Sequence, residues 1–179
     1  MPRPSSLAQA ALRPLHIEPS WSQGPAPHSA GIIGVVGRVE RIHLVARHGG
    51  SAVAVAEVVA EAGLGLRGDR HHGEEDACDL TLIEGEALVH LAAEHGLDLA
   101  DGGSRRNLVT IGIDLAELLG RRFRVGEVLC EGEERCEPCS HLARLTDRAV
   151  LRGLRHTGLR ASILESGTIR TGDQVQLVS

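Results

Sequence analysis

Short runs of alternating apolar and polar residues, punctuated by glycines, dominate the chain from Gly34 onward. GRVERIHLV (37–45) and SAVAVAEVV (51–59) are rich in β-branched residues. RRFRVGEVL (121–129) alternates Phe123 and Val125 with Arg122 and Arg124, and QVQLV (174–178) alternates Val175 and Leu177 with Gln174 and Gln176. A period of two sends one set of side chains to each face of a strand, so these segments predict half-buried β-strands. Helical periodicity is scarcer. EGEALVHLAAEHG (84–96) puts Leu88, Leu91, Ala92 and His95 on one face and stops at Gly96. DLAELLG (114–120) predicts a one-turn helix with Asp114 as N-cap, Glu117 three residues on and Gly120 as the stop. TDRAVLRGLRHTG (146–158) predicts a third helix, begun by a Thr146 cap, with Val150, Leu151 and Leu154 inward. Many short strands and three short helices predict a mostly β fold, a barrel with helices packed over its ends, rather than a regular βα alternation.

The first 33 residues depart from this texture. They are rich in Pro, Ser and Ala, have no clear period, and predict a flexible N-terminal arm ahead of one domain spanning 34–179. Prolines at positions 2, 4, 14 and 19 interrupt any apolar core of a secretory leader, and no stretch is long and apolar enough to span a bilayer. A cytoplasmic, non-membrane protein is the expectation.

Composition narrows the chemistry. The net charge is −5, which gives nucleic-acid binding little electrostatic support. All 19 cationic residues are Arg. Without Lys, a Schiff base within this chain is excluded, and pyridoxal phosphate chemistry with it. Tyr is absent and Phe123 and Trp21 are the only aromatic residues of the Phe/Trp/Tyr class, so a ring-shaped ligand would be held by hydrogen bonds and aliphatic contacts.

Three constellations carry candidate chemistry. In GLGLRGDRHHG (63–73), glycines allow close backbone approach, Arg70 suits a phosphate or carboxylate, and His71 and His72 suit a metal or an anion. The bland alternative is a surface turn with a local Asp69–Arg70 pair. The Walker pattern is not matched, because its Lys is missing. In GGSRRNLV (103–110), Arg105 and Arg106 precede Asn107, the only Asn in the chain, whose amide suits a heterocycle edge. If a strand already runs through the two arginines, they face opposite sides and one at most faces a pocket. The third is Cys136-Glu-Pro-Cys139. Its C-x-x-C spacing fits half a zinc site or a redox pair, but a zinc site needs two further ligands and a thioredoxin-like pair needs a βαβ context.

Together these motifs, in this order, resemble the MOSC domain, the family named after the C-terminal domain of molybdenum cofactor sulfurase. The resemblance runs through G-x-G-x-x-G-D-R (63–70), LTLIEGEAL (80–88), RRNLVTIGIDLAELLGRRFRVGEVLCE (105–131), C-x-P-C (136–139) and GLRASILESGTIRTGDQVQL (158–177). It implies a β-barrel that binds molybdopterin-type molybdenum cofactor, with Cys139 at the position of the thiolate that ligates molybdenum. It also implies that Asp69, Arg70, Arg105 and Asn107 border the cofactor. Arg106 is expected to help neutralise the cofactor's phosphate, and Cys136, at a position less uniform in the family, is expected beside the cofactor as a supporting or resolving thiol for Cys139. Three functions follow as expectations: reduction of N-hydroxylated or N-oxygenated small molecules with electrons from a separate protein, sulfur transfer through a cysteine persulfide supplied by a separate desulfurase, or a zinc-stabilised barrel without catalysis. The chain is short, so its pocket is expected to be open, and a homodimer is one way to complete it.

Overall fold

The computed structural model describes residues 36–75 and 78–178. The expected N-terminal arm, 1–33, lies outside the described residues. The strands are β1 (Val36–Leu44), β2 (Val53–Val55), β3 (Glu57–Glu61), β4 (Gly65–Leu66), β5 (Leu80–Glu84), β6 (Leu108–Ile111), β7 (Arg122–Val125), β8 (Val128–Arg135), β9 (Gly158–Glu165), β10 (Gly167–Arg170) and β11 (Gln174–Leu177). Seven of them, in the order β11-β7-β8-β9-β5-β6-β1, close into a barrel through the β1–β11 pairing, and β2 extends β1. Closure leaves the barrel strands few free edges. A second sheet, β10-β3-β4, is antiparallel throughout. Within the barrel only β5 and β6 run parallel, as a connection through an intervening helix requires.

The alternation read from the sequence points into this barrel. Phe123, Val125, Val128, Cys130, Leu159, Ala161, Ile163 and Val175 form one buried cluster with Val39, Ile42, Leu80, Leu82 and Leu108. Val58, Ala60 and Leu66 of β3 and β4, with Ile169 of β10, join the same cluster, which ties the small sheet to the barrel. Phe123 is fully buried, and emptying that position to Ala would cost about 3–5 kcal/mol. Along β1 the period slips. The pairing with β6 shifts between Val39 and Arg41, a bulge that inserts one residue. Gly37 and Val39 are buried before it; Ile42 and Leu44 pack on the barrel core after it. The slip sends His43 to the opposite face, where it is nevertheless 2% exposed.

Helix α1 (Gly85–His95) follows the expected span, ending at Gly96 with φ 66° and with the Gly96 N–H donating to Ala92 O. Leu88 and Leu91 are buried while His95 is exposed. The predicted one-turn helix is a 3₁₀ turn, Leu115–Leu118, and the Asp114 carboxylate accepts from Ala116 N as its cap. Leu115 and Leu118 enter the barrel core. The third helix differs from the prediction. Thr146 does not start it; Thr146 closes α2 (Ser140–Leu145), its hydroxyl donating to Leu142 O. Asp147 accepts from Ala149 N ahead of α3, which spans only Val150–Gly153. Ser, Thr and Asp compete for backbone groups at either end of a short helix, so sequence alone does not assign the end. The helices share a second cluster, in which Leu88, Leu91, Leu142, Val150 and Leu154 pack with Ile83 of β5 and Val109 of β6. α2 therefore hangs the C-x-P-C loop on the helical side of the β5–β6 pair.

Candidate functional site

Asn107 sits immediately before β6 and uses its whole amide on the protein. Its Oδ1 accepts from Thr81 N at 3.1 Å and Thr81 Oγ1 at 2.7 Å. Its Nδ2 donates to His43 O at 3.4 Å and Asp69 Oδ2 at 3.3 Å. Two donors and two lone pairs exhaust the hydrogen-bonding capacity of an amide. Asp69 is equally engaged, accepting from Val45 N at 3.0 Å and His71 N at 3.2 Å. Arg70 N donates to Val45 O at 2.7 Å in the same clamp. The Asp69 carboxylate thus pins a backbone turn to the end of β1.

That clamp sets the arginines. Strand β6 begins only at Leu108, so strand alternation does not govern Arg105 and Arg106. Arg105 has φ 58°, a left-handed backbone that is strained for a residue with a Cβ, and its guanidinium donates to Gly50 O at 3.0 Å. Arg106 turns the other way. Its Nη2 donates to Cys136 O at 3.0 Å and Glu137 O at 3.3 Å, and its Nη1 to Ser104 O at 3.3 Å. Arg106 Nε is buried without a partner among the described residues. Burial pulls the Arg70 guanidinium below its usual range; Asp69 opposes this and the nearby positive charge of Arg105 and Arg106 adds to it. The three guanidiniums therefore feel one another's charge; of the carboxylates that act on Arg70, Asp69 is already bound to backbone N–H groups and Glu74 to His48 and His71. An anion placed there would gain charge-assisted hydrogen bonds.

Arg106 also brings the C-x-P-C loop to this cluster. Cys136 N donates to Gly158 O at 2.9 Å. A Cβ on Gly158 would stand 2.5 Å from Cys136 O, so only glycine allows the approach. Glu137 fixes the loop from the other side, accepting from His156 N at 3.2 Å and contacting His156 Nδ1 at 2.8 Å. The two thiols then part company. Cys136 is 6% exposed and hydrogen-bonds the Arg160 guanidinium, which is raised above its usual range chiefly by that contact. Cys139 is exposed and stands at the N-cap position of α2. Burial raises Cys78 and pushes the Cys130 thiol up to about 12, which keeps Cys130 an inert core side chain. A cavity of about 330 Å³ lies between residues 49–52, residues 101–103, Arg105 and Leu145–Thr146 at the far end of α2. Cys139 and this cavity are separated by the length of α2, roughly 10 Å of rise.

The region 68–176 matches the MOSC domain family model. The chain belongs to the MOSC domain family. Strands β1 to β4 precede the matched region, yet β1 closes this MOSC barrel, so the domain extends to the N-terminal side of the match. Solved structures agree on the fold. The YuaD protein from Bacillus subtilis aligns at 16% identity with a TM-score of 0.70, over 80% of this chain and 96% of that one. YiiM from Escherichia coli aligns at 23% identity and TM-score 0.60, over 79% and 70%. YiiM from Geobacillus stearothermophilus aligns at 18% identity and TM-score 0.60, over 80% and 75%. No curated protein matches the chain.

The structure joins Asn107 to Asp69 and Arg106 to the Cys136 carbonyl by hydrogen bonds, ties Arg70 into the Asp69 turn through its backbone, and turns the Arg105 guanidinium to Gly50 O; Cys139 lies on the same loop as Cys136. Sequence reasoning missed His43 and Arg160. Burial lowers the pKa of His43, with Arg41 adding to the effect and Asp101 opposing it, and neither ring nitrogen has a partner among the described residues. Its signal was available, a histidine inside the apolar run RIHLV. Arg160 carried no such signal, since it is one of several arginines on strand faces. Among the described residues no helix is long and apolar enough to cross a membrane.

Proposed function

We propose that this MOSC protein binds a molybdopterin-type molybdenum cofactor and reduces N-hydroxylated or N-oxygenated small molecules. The observation that carries the reading is the Arg70–Arg105–Arg106 cluster, linked by Arg106 to the carbonyls of the cysteine loop. The residues present fit such a group. The partnerless Nε of Arg106 and the crowded guanidiniums suit an anionic phosphate, and an exposed thiol suits a soft metal. In this reading Cys139 would supply the thiolate ligand, and the three arginines would hold the anionic end. Asp69 and Asn107, with their polar atoms already engaged, would act as positioning residues.

When bound, the cofactor would supply a two-electron redox centre. The overall reaction breaks the N–O bond of a hydroxylamine or amidoxime, and the oxygen leaves as water after uptake of two electrons and two protons. In this reading a separate electron-donor protein would provide the electrons.

A second reading rests on Cys136. The Cys136 thiol is held by the Arg160 guanidinium, and an exposed partner three residues on completes the pair of thiols that persulfide transfer uses. In that case a separate desulfurase would supply sulfur to Cys139, with Cys136 resolving it. The test is a reductase assay of cofactor-loaded protein with a chemical electron donor and a simple hydroxylamine or amidoxime. Turnover lost in Cys139→Ala and kept in Cys136→Ser supports the first reading. Absent turnover, with a persulfide trapped on Cys139 after incubation with a desulfurase, supports the second.

A further inference from the structure

A cluster outside the arginine site has the makings of a metal site. His48 lies on the loop between β1 and β2, and His71 and Glu74 lie on the turn between β4 and β5. His48 Nε2 stands 2.8 Å from Glu74 Oε1, and His71 Nδ1 stands 2.6 Å from Glu74 Oε2. The two imidazoles thus address opposite oxygens of one carboxylate, with ring centroids 5.2 Å apart and planes at 80°. One ligand atom from each residue falls within 4.8 Å of the other two. We propose that His48, His71 and Glu74 bind a divalent transition-metal ion of the zinc type, at a site separate from Cys139.

The chemistry of the donor set selects the ion. Two imidazole nitrogens and a carboxylate are borderline ligands suited to Zn²⁺, Co²⁺ or Ni²⁺, whereas Ca²⁺ and Mg²⁺ prefer all-oxygen shells. Ligand atoms on a tetrahedral zinc stand about 3.3 Å apart, from bond lengths of about 2.0–2.1 Å. Modest side-chain rotation closes the set to that spacing, and all three side chains are exposed enough to rotate. The same exposure leaves positions on the metal open to water. The backbone beneath is already fixed. Asp69 Oδ1 accepts from His71 N, Glu74 N donates to His71 O at 3.1 Å, and Arg70 N ties the turn to Val45 O at the end of β1. His72, though adjacent to His71, turns to Glu61 and takes no part.

A metal here would brace two segments that border the arginine cluster. One carries Gly50, whose carbonyl holds Arg105, and the other carries Arg70. Binding would order that rim and place further positive charge beside it, whether or not the proposed cofactor is ever present.

The test uses full-length protein stripped of metal with a chelator and titrated with Co²⁺ alone, read by the ligand-field absorption of the ion, with Zn²⁺ as competitor. The expected result is one saturable site displaced by Zn²⁺. Affinity falls tenfold or more in His48→Ala, His71→Ala and Glu74→Gln, and is unchanged in His90→Ala and in the double variant Cys136→Ser/Cys139→Ser. Added Zn²⁺ raises the melting temperature of the wild type but not of His48→Ala. His48 and Glu74 are exposed and His71 is half-buried, so metal-free His48→Ala and Glu74→Gln should melt with the wild type, which separates a lost ligand from a lost fold. Failure to find a saturable site overturns the proposal. So does undiminished affinity in His48→Ala, or loss of the site in the cysteine double variant.

Discussion

Replacing Asn107 with Ala tests whether the site is held together by one amide. The side chain makes four hydrogen bonds, two to Thr81 and one each to His43 O and Asp69 Oδ2. A typical intramolecular hydrogen bond contributes about 0.5–1.5 kcal/mol net, and a half-buried partner left unsatisfied costs about 1–3 kcal/mol. The two contacts made by Nδ2 are long, at 3.4 and 3.3 Å, and count at the weak end. The two made by Oδ1 are shorter, and losing them strands the Thr81 N–H. The expected loss is about 2–4 kcal/mol. In a domain of this size that lowers the melting temperature by about 6–12 °C, at roughly 3 °C per kcal/mol. Urea unfolding gives the free energy directly, and amide hydrogen exchange at Thr81 reports the local opening. Asn107→Asp is the sharper companion. It keeps an oxygen for Thr81 but sets a carboxylate against Asp69, which raises the pKa of the introduced group in the folded state. The folded form then binds more protons than the unfolded form, so this variant loses stability as pH rises and regains part of it toward about pH 4. An Asn107→Ala variant within 0.5 kcal/mol of wild type, by the same arithmetic, or an Asn107→Asp variant more stable than wild type at neutral pH, would refute the reasoning.

Three other outcomes are expected. His43 is buried with its pKa lowered from 6.5, so its contribution is fully present above about 6.5 and is lost as pH falls toward the lower folded value. Equilibrium unfolding between about pH 7 and pH 5 should therefore show His43→Leu gaining on the wild type as pH falls; a parallel profile would contradict the burial argument. Gly158→Ala should cost about 1–3 kcal/mol, the usual range for overpacking, and should speed alkylation of Cys136 by displacing its carbonyl; unchanged alkylation would mean that the close approach does not hold the loop. In a thiol titration of the native protein with an aromatic disulfide reagent, Cys139 should react first and Cys130 only on unfolding, and a fast-reacting Cys130 would contradict its place in the barrel core.

The barrel was legible because its strands are half-buried and short, so period-two alternation survives at Phe123, Val125, Val175 and Leu177. β1 was legible as a strand but not in its facing, because a bulge between Val39 and Arg41 breaks the period and no residue type announces it. Helix α2 was invisible: six residues with no apolar period read as loop, and its closing Thr146 looks like the start of the next helix. Residue types in the candidate site were legible, while their division of labour was not. Asp69 and Asn107 suggest ligand contacts on paper, yet the fold turns their polar atoms inward to hold the turn and the strand mouth. Arg106 reaches the cysteine loop 30 residues away, a contact set by tertiary packing alone. The His48–Glu74 contact spans 26 residues, and no local spacing rule pairs them.

The most direct test of the central claim is the metal and pterin content of protein made in a host that synthesises molybdenum cofactor, compared with Cys139→Ala. Elemental analysis and the fluorescence of oxidised pterin released on denaturation give both quantities on one sample. Molybdenum and pterin are expected together in the wild type, near one per chain, with molybdenum lost in the variant. Wild-type protein from a competent host that carries neither would contradict it.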